Sequence, residues 1–216
     1  MKPADPPRRQ RRKEARPAEL AAAALELFVE KGFAATRLDD VAARAGVSKG
    51  TLYLYFDSKD ALFRAVIEES VLPLIAEVEA RIEALKDDPA RLLRELLVNW
   101  WDRVGSTPLG GTCKLMISEA GNFPEVAAYY NEAVIGRWNA LLSGVIEAGV
   151  ARGVFRPVNV EVLRQMAFYP ILMRAVWRSS MTDCGLTQLE PDVYFDTYFD
   201  VLFRGMLAAS AEEAQA

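Results

Sequence analysis

Lys49, Gly50, Thr51, Tyr53 and Tyr55 crowd into one short stretch, and each of these types has a use against a nucleic-acid surface. An amine at a helix start reaches a guanine edge or a phosphate. A glycine lets the backbone approach closely. Threonine offers a base edge both a hydroxyl and a methyl, and the methyl suits thymine. Tyrosine hydroxyls bond phosphate oxygens. Ser48 and Thr36 add hydroxyls and unpaired backbone N–H groups at helix N-termini, where phosphate is attracted. Core aromatics would be the better account of a lone tyrosine, but not of two on a helix too short to bury both faces. Other chemistries are closed by composition. With no histidine in 216 residues, nucleophile activation by Ser-His-Asp or Cys-His is impossible. A zinc site of the Cys/His kind cannot be assembled either. Cys113 and Cys184 belong to no CxxC pair and read as small core filler. The 30 acidic residues leave paired-carboxylate catalysis open, but no spacing singles out a pair. The run Gly105–Thr112 approaches a phosphate-binding loop, yet Gly111 stands where the lysine should be and no strand precedes it. The expectation is a protein that is not an enzyme and needs no cofactor or metal.

The elements that must position these residues are helices. Residues 1–16 read as a disordered basic arm with Arg8, Arg9, Arg11, Arg12 and Lys13 and no apolar period. Such an arm can enter a minor groove or add only nonspecific affinity. A first helix is predicted over Pro17–Lys31, with Leu20, Ala24, Leu27 and Phe28 on one stripe and Gly32 as its stop. Thr36 is read as the cap of a short second helix that ends at Gly46. Ser48 caps a third, from Lys49 to about Phe56, anchored by Leu52 and Phe56. Two short helices joined by a glycine-containing turn form a helix-turn-helix, whose second helix must be exposed to enter a major groove. Asp57-Ser58 opens a long fourth helix to Leu85 that Pro73 should kink or break. Further helices are expected near 90–104, 107–121, 124–149, 160–180 and 190–209. The fold class is therefore all-α: a basic arm at 1–16, a three-helix domain with the helix-turn-helix at 17–64, and a larger helical domain at 65–216. Charge follows the same division, with 13 basic and 9 acidic residues in 1–64 against 13 and 21 in the remainder. A basic head on an acidic body brings only the head to phosphate.

The unbroken run from Thr36 to Leu62, TRLDDVAARAGVSKGTLYLYFDSKDAL, closely resembles the DNA-binding signature of the TetR family of bacterial repressors, and the resemblance extends from about Leu20 to Val66. It implies that Thr36 and Lys59 hold backbone phosphate and that Ser48, Lys49, Gly50, Thr51 and Tyr53 lie on the recognition helix. Tyr55 stands where many members carry histidine. Arg37 joins Lys49 and Lys59 as a phosphate neutraliser. The resemblance is weaker beyond the fourth helix, where Ser118–Glu125 is similar to many members.

That family's C-terminal domain dimerises and holds an inducer. Here the last two helices carry more apolar surface than one core face needs, and Tyr194, Tyr198, Val201 and Gly205 are read as part of a four-helix dimer interface. Two copies then present two recognition helices to a near-palindromic operator on double-stranded DNA. Trp100, Trp101, Met116, Phe123, Tyr130, Trp138, Met166, Tyr169, Met173 and Trp177 are candidates to line a pocket for an apolar or aromatic effector; any one of them alone is as readily plain core. Arg103, Glu119 and Arg174 are candidate polar handles, and Pro170 a kink that could open the cavity. The expected function is a ligand-released repressor. An activator, or a partner-controlled regulator without a small-molecule inducer, is the alternative. The bacterial cytoplasm is the expected compartment, since no apolar run is long enough for a membrane span.

Overall fold

A computed structural model describes residues 16–85, 87–181 and 189–208. The basic arm up to residue 15 and Cys184 lie outside the described residues. Within them every regular element is a helix, apart from one isolated antiparallel bridge between Phe155 and Leu207. No helix among the described residues is long and apolar enough to cross a membrane.

The first four helices form the head. α1 (Arg16–Lys31) buries its stripe of Leu20, Ala24, Leu27 and Phe28, as the 3.6-residue period requires. Gly32 ends it at φ +84°, a left-handed conformation that a side chain would strain, and returns its N–H to the Phe28 carbonyl at 3.0 Å. α2 (Leu38–Arg44) and α3 (Lys49–Tyr53) follow, separated by a turn in which Gly46 sits at φ +65°. α4 (Lys59–Ser70) is capped by Ser58, whose Oγ accepts the Ala61 N–H at 3.1 Å. The long helix expected from residue 59 to 85, with Pro73 kinking or breaking it, is broken there: α4 stops at Ser70 and α5 (Leu72–Leu85) starts afresh. Pro73, in the first turn of α5, has no N–H to give, and its ring would meet the carbonyl four residues back.

The body is built from α5 to α11. α6 (Pro89–Trp100), capped by Asp88, runs on through a π-helical turn at Trp101–Gly105. α7 (Gly110–Glu119) is followed by α8 (Pro124–Tyr130), which passes through a second π segment, Asn131–Gly136, into α9 (Arg137–Ala151). α10 (Val160–Met181) and α11 (Pro191–Met206) complete it. α10 carries Pro170 inside an unbroken span.

Two apolar clusters hold these helices. The body cluster joins α6, α9, α10 and α11 around Leu93, Leu97, Leu142, Ile171 and Phe199. Gly149 is required there, because a Cβ would sit 2.1 Å from the ring of Phe155, which is fully buried. The head cluster is centred on Phe28, Phe33 and Phe63, whose ring centroids lie 5.2–6.0 Å apart. It does not end at residue 64. Val66, Ile67, Val71 and Ile75 belong to it, and so do Leu115, Met116, Val126 and Tyr130 from α7 and α8. A boundary at 64/65 would cut through α4 and through this core.

Candidate nucleic-acid interface and inner cavity

α3 is held to the head by Leu52, which is fully buried, and by Phe56 just beyond it. Ser48 starts it: its Oγ accepts the Thr51 N–H at 3.1 Å and lies 2.8 Å from the Thr51 Oγ1. Outward, Ser48, Lys49, Gly50 and Tyr53 are exposed and Thr51 is half-buried. A Cβ on Gly50 would meet only the Ser48 Oγ, at 3.9 Å, so this face is open. The sequence reading placed the helix end near Phe56, but α3 stops at Tyr53. Leu54 also points outward, at 82% exposure, whereas Tyr55 is partly buried against the head cluster. Tyr55 is thus displaced from the exposed face of this segment, and Leu54 takes its place. The signal was there in Leu52 and Phe56, four apart, which fix the inward direction and leave position 54 opposite.

The charged groups are more committed than their types suggest. Lys49 Nζ lies 2.8 Å from Asp39 Oδ2 on α2 and 5.8 Å from the centre of the Tyr53 ring. The Asp39 hydrogen bond and charge raise the Lys49 pKa above that of an ordinary lysine. Arg44 is held between Glu26 and Glu30, 2.9 Å from each. Arg37, the N-cap residue of α2, is exposed, and no ion pair engages it among the described residues.

Thr36 and Lys59 require correction. Thr36 does not cap α2; Arg37 occupies that position. The Thr36 side chain is 2% exposed, and its hydroxyl is aimed at the Gly32 carbonyl at 2.7 Å and the Leu27 carbonyl at 3.1 Å. It fastens the end of α1 and has no free edge for phosphate. Lys59 Nζ donates to the carbonyls of Phe33 and Ala34 and sits 4.6 Å from the Phe33 ring centre. Partial burial pushes its pKa below the ordinary lysine value. Both residues knit the turn between α1 and α2.

The body grips the same turn. Glu119, at the end of α7, accepts the Ala34 N–H through Oε1 at 3.2 Å and the Asn122 amide through Oε2. Phe123 stacks edge-on against Phe33 at 4.7 Å. Glu119 and Phe123 are therefore contacts between body and head and not parts of a pocket.

An inner cavity of about 290 Å³ lies between α5, α6, α7, α9 and α10. Of the expected lining residues, Trp100, Met116, Tyr130, Trp138 and Tyr169 border it. Both π segments contribute, through Arg103 and Val104 and through Val134 and Ile135. Trp101 does not reach it: that ring packs on Phe195 at 5.7 Å, with the Arg174 guanidinium 5.1 Å from its centre. Arg174 also lies over Tyr194 and bonds the Leu189 carbonyl, so it is no pocket handle. Arg103 borders the cavity and is paired with Glu77 at 3.2 Å. Within the cavity wall, the buried Tyr130 hydroxyl lies 3.4 Å from Thr112 Oγ1 and 3.8 Å from Cys113 Sγ. Burial pushes both the phenol and the thiol up.

Met166, Met173 and Trp177 are displaced from the expected pocket to the outside. They share an exposed face of α10 with Val162 and Tyr169. A groove of about 830 Å³ runs between this face and α11, and Met166, Pro170, Tyr194, Tyr198, Val201 and Gly205 border it. Pro170 therefore shapes the outer groove and not the cavity. All four expected dimer residues lie there, although Tyr198 turns its hydroxyl inward to the Ala167 carbonyl.

Two family models match in series: "Bacterial regulatory proteins, tetR family" over residues 20–66 and "Tetracyclin repressor-like, C-terminal domain" over 84–188. The transcriptional regulator EthR of Mycolicibacterium smegmatis is 29% identical over 138 residues, which is 64% of this chain and 62% of that one. The transcriptional repressor NicS of Pseudomonas putida is 29% identical over 134 residues, 62% of this chain and 63% of that one. Each match thus takes in less than two thirds of the relative. The structure of the transcriptional regulator FadR from Bacillus subtilis in complex with stearoyl-CoA shares the fold, with a TM-score of 0.70 at 21% identity over 87% of this chain and 98% of that one. The two matched segments and the shared fold give one answer: the chain belongs to the TetR family of bacterial regulatory proteins.

Proposed function

We propose that the protein is a DNA-binding transcriptional regulator of the bacterial cytoplasm, acting as a homodimeric repressor that an apolar effector releases from a near-palindromic operator. The observation that carries this is the α3 face: a short helix anchored by Leu52, with Ser48, Lys49, Gly50, Tyr53 and Leu54 exposed on the other side. Such a face fits a major groove. Tyr53 and Thr51 supply hydroxyls, Leu54 an apolar contact for a thymine methyl, and Arg37 an uncommitted charge.

The exposed apolar face of α10 and its groove with α11 support the dimer. Val162, Met166, Met173 and Trp177 are each at least 45% exposed, and a continuous apolar patch of this kind marks an interface. A second copy packed there closes a four-helix bundle and sets two α3 helices about one DNA turn apart.

The inner cavity supports effector control, and FadR, a fold relative, is solved with stearoyl-CoA. Two routes lead from its wall to the head. Met116 and Cys113 place α7 on the cavity, and the same helix ends at Glu119 on the turn between α1 and α2. Val71 and Ile75 place the α4–α5 joint there too. A ligand acts only through differential affinity for two arrangements of these helices.

The test is selection of bound duplexes from a random DNA pool by the purified full chain. Enrichment of a near-palindrome, lost with Tyr53→Ala and Leu54→Glu, is the expected result. Failure to enrich any sequence would overturn the reading.

A further inference from the structure

We propose that the inner cavity takes a neutral, mainly apolar ligand bearing one hydrogen-bond acceptor, such as a ketone or ester oxygen, and that the Trp138 indole N–H meets it. The proposal rests on reading this cavity as the effector site. Trp138 borders the cavity and is only 5% exposed, and its Nε1 has no hydrogen-bond partner among the described residues. An indole N–H can only donate. Left unmet and buried, it costs stability that an incoming acceptor would restore.

Of the other polar groups of the wall, Tyr130 and the Asn139 carbonyl are already engaged, while Asn99, half-buried, and Tyr169, exposed, also border the cavity. Tyr130 faces Thr112 and Cys113, and Thr112 Oγ1 also donates to the Leu109 carbonyl at 2.7 Å. Asn139 Oδ1 accepts from Arg164, whose charge is matched by Glu161. Most of the remaining surface is aromatic and aliphatic: Phe168 sits 4.9 Å from Trp100 and 5.8 Å from Trp138, centre to centre. These rings and Met116 favour an apolar body.

Full charge is poorly served. No Asp, Glu or Lys borders the cavity among the described residues, and Arg103 is the one arginine there. Arg103 is already paired with Glu77 and is 44% exposed at the rim. A carboxylate driven inside would be left without a dedicated counter-charge, a costly arrangement. At about 290 Å³ the cavity is at the small end of ligand sites, which run to roughly 1,000 Å³. A single short chain or one or two fused rings is the matching size.

Three probes of equal chain length separate these terms: 2-octanone, 1-octene and octanoate, each titrated into the full-length protein by calorimetry. The ketone is expected to bind tightest. Trp138→Phe is expected to weaken the ketone roughly two- to tenfold, the usual worth of one neutral hydrogen bond, and to leave 1-octene within about twofold. Loss of both probes in parallel means that Trp138 acts by packing alone, and overturns the proposal. Tightest binding of octanoate overturns the ligand class while leaving the cavity as effector site. Failure of all three to bind overturns the class and the sensing role of the cavity together.

Discussion

Replacing Thr36 by valine removes a hydroxyl and almost nothing else. Thr36 is 2% exposed, and its hydroxyl lies 2.7 Å from the Gly32 carbonyl and 3.1 Å from that of Leu27. Valine keeps the shape, so no cavity opens, but these carbonyls lose a donor in a place water does not reach. Such a loss costs about 1–3 kcal/mol. For a chain of this length each kcal/mol moves the melting midpoint by roughly 2–4 °C. Thr36→Val should therefore lower the midpoint by roughly 2–12 °C, while Thr36→Ser, which retains the hydroxyl, should recover most of it. Circular-dichroism melts measure the first quantity, and fluorescence anisotropy on the selected operator, well below the transition, measures the second. Operator affinity of the folded valine variant should stay within about twofold of the parent. An unchanged midpoint together with a tenfold loss of affinity would show that the hydroxyl serves phosphate and not the end of α1, and the reasoning would fail.

Three further expectations follow from named contacts. Asp39→Asn should free Lys49 from its 2.8 Å partner, raise nonspecific DNA affinity at low salt, and steepen the log-affinity against log-salt slope by up to about 0.9 per subunit; an unchanged slope in anisotropy titrations would show that Lys49 never reaches phosphate. Gly149→Ala drives a Cβ to 2.1 Å from the Phe155 ring, and should destabilise by about 1–3 kcal/mol or more, read as a lowered urea midpoint that Phe155→Leu partly restores. Stability should fall above about pH 10, the ordinary tyrosine value. Burial raises Tyr130 and Tyr198, so the unfolded chain releases those protons first and folding is penalised as pH climbs toward the folded values. Lys59, depressed by burial, contributes with the opposite sign in the alkaline range, so Tyr130→Phe should leave a visibly shallower decline in urea midpoints taken from pH 8 to 11.

What the sequence disclosed was whatever depends on near neighbours. The α1 stripe, its stop at Gly32 and the caps at Ser48 and Ser58 are all set within a few residues, and the helix-turn-helix follows from them. Thr36 and Lys59 have types suited to phosphate, and only the turn folding back on α1 reveals that carbonyls claim them first. α10 shows a different limit. Its inward face is Leu163, Ala167, Ile171 and Ala175, while the outward face carries Met166, Tyr169, Met173 and Trp177. Periodicity groups these residues correctly but does not say which face meets the chain's own core. Size misleads here, because α10 turns Ala167 and Ala175 inward beside Leu163, Phe168 and Ile171 and leaves Met166, Met173 and Trp177 outside. The strut from Glu119 to Ala34 joins positions 85 apart in sequence, and no local pattern announces it.

The head's apolar centre borrows Leu115, Met116, Val126 and Tyr130 from α7 and α8, which bears on how such a protein can be re-engineered. A chimaera joined at residue 64 would sever α4 and graft the reading surface onto a foundation of foreign shape. Exchange of α3 surface residues alone leaves that foundation intact. The exposed side chains of Ser48–Leu54 can therefore be exchanged one at a time, whereas any change in α7 or α8 reshapes the wall that head and body share.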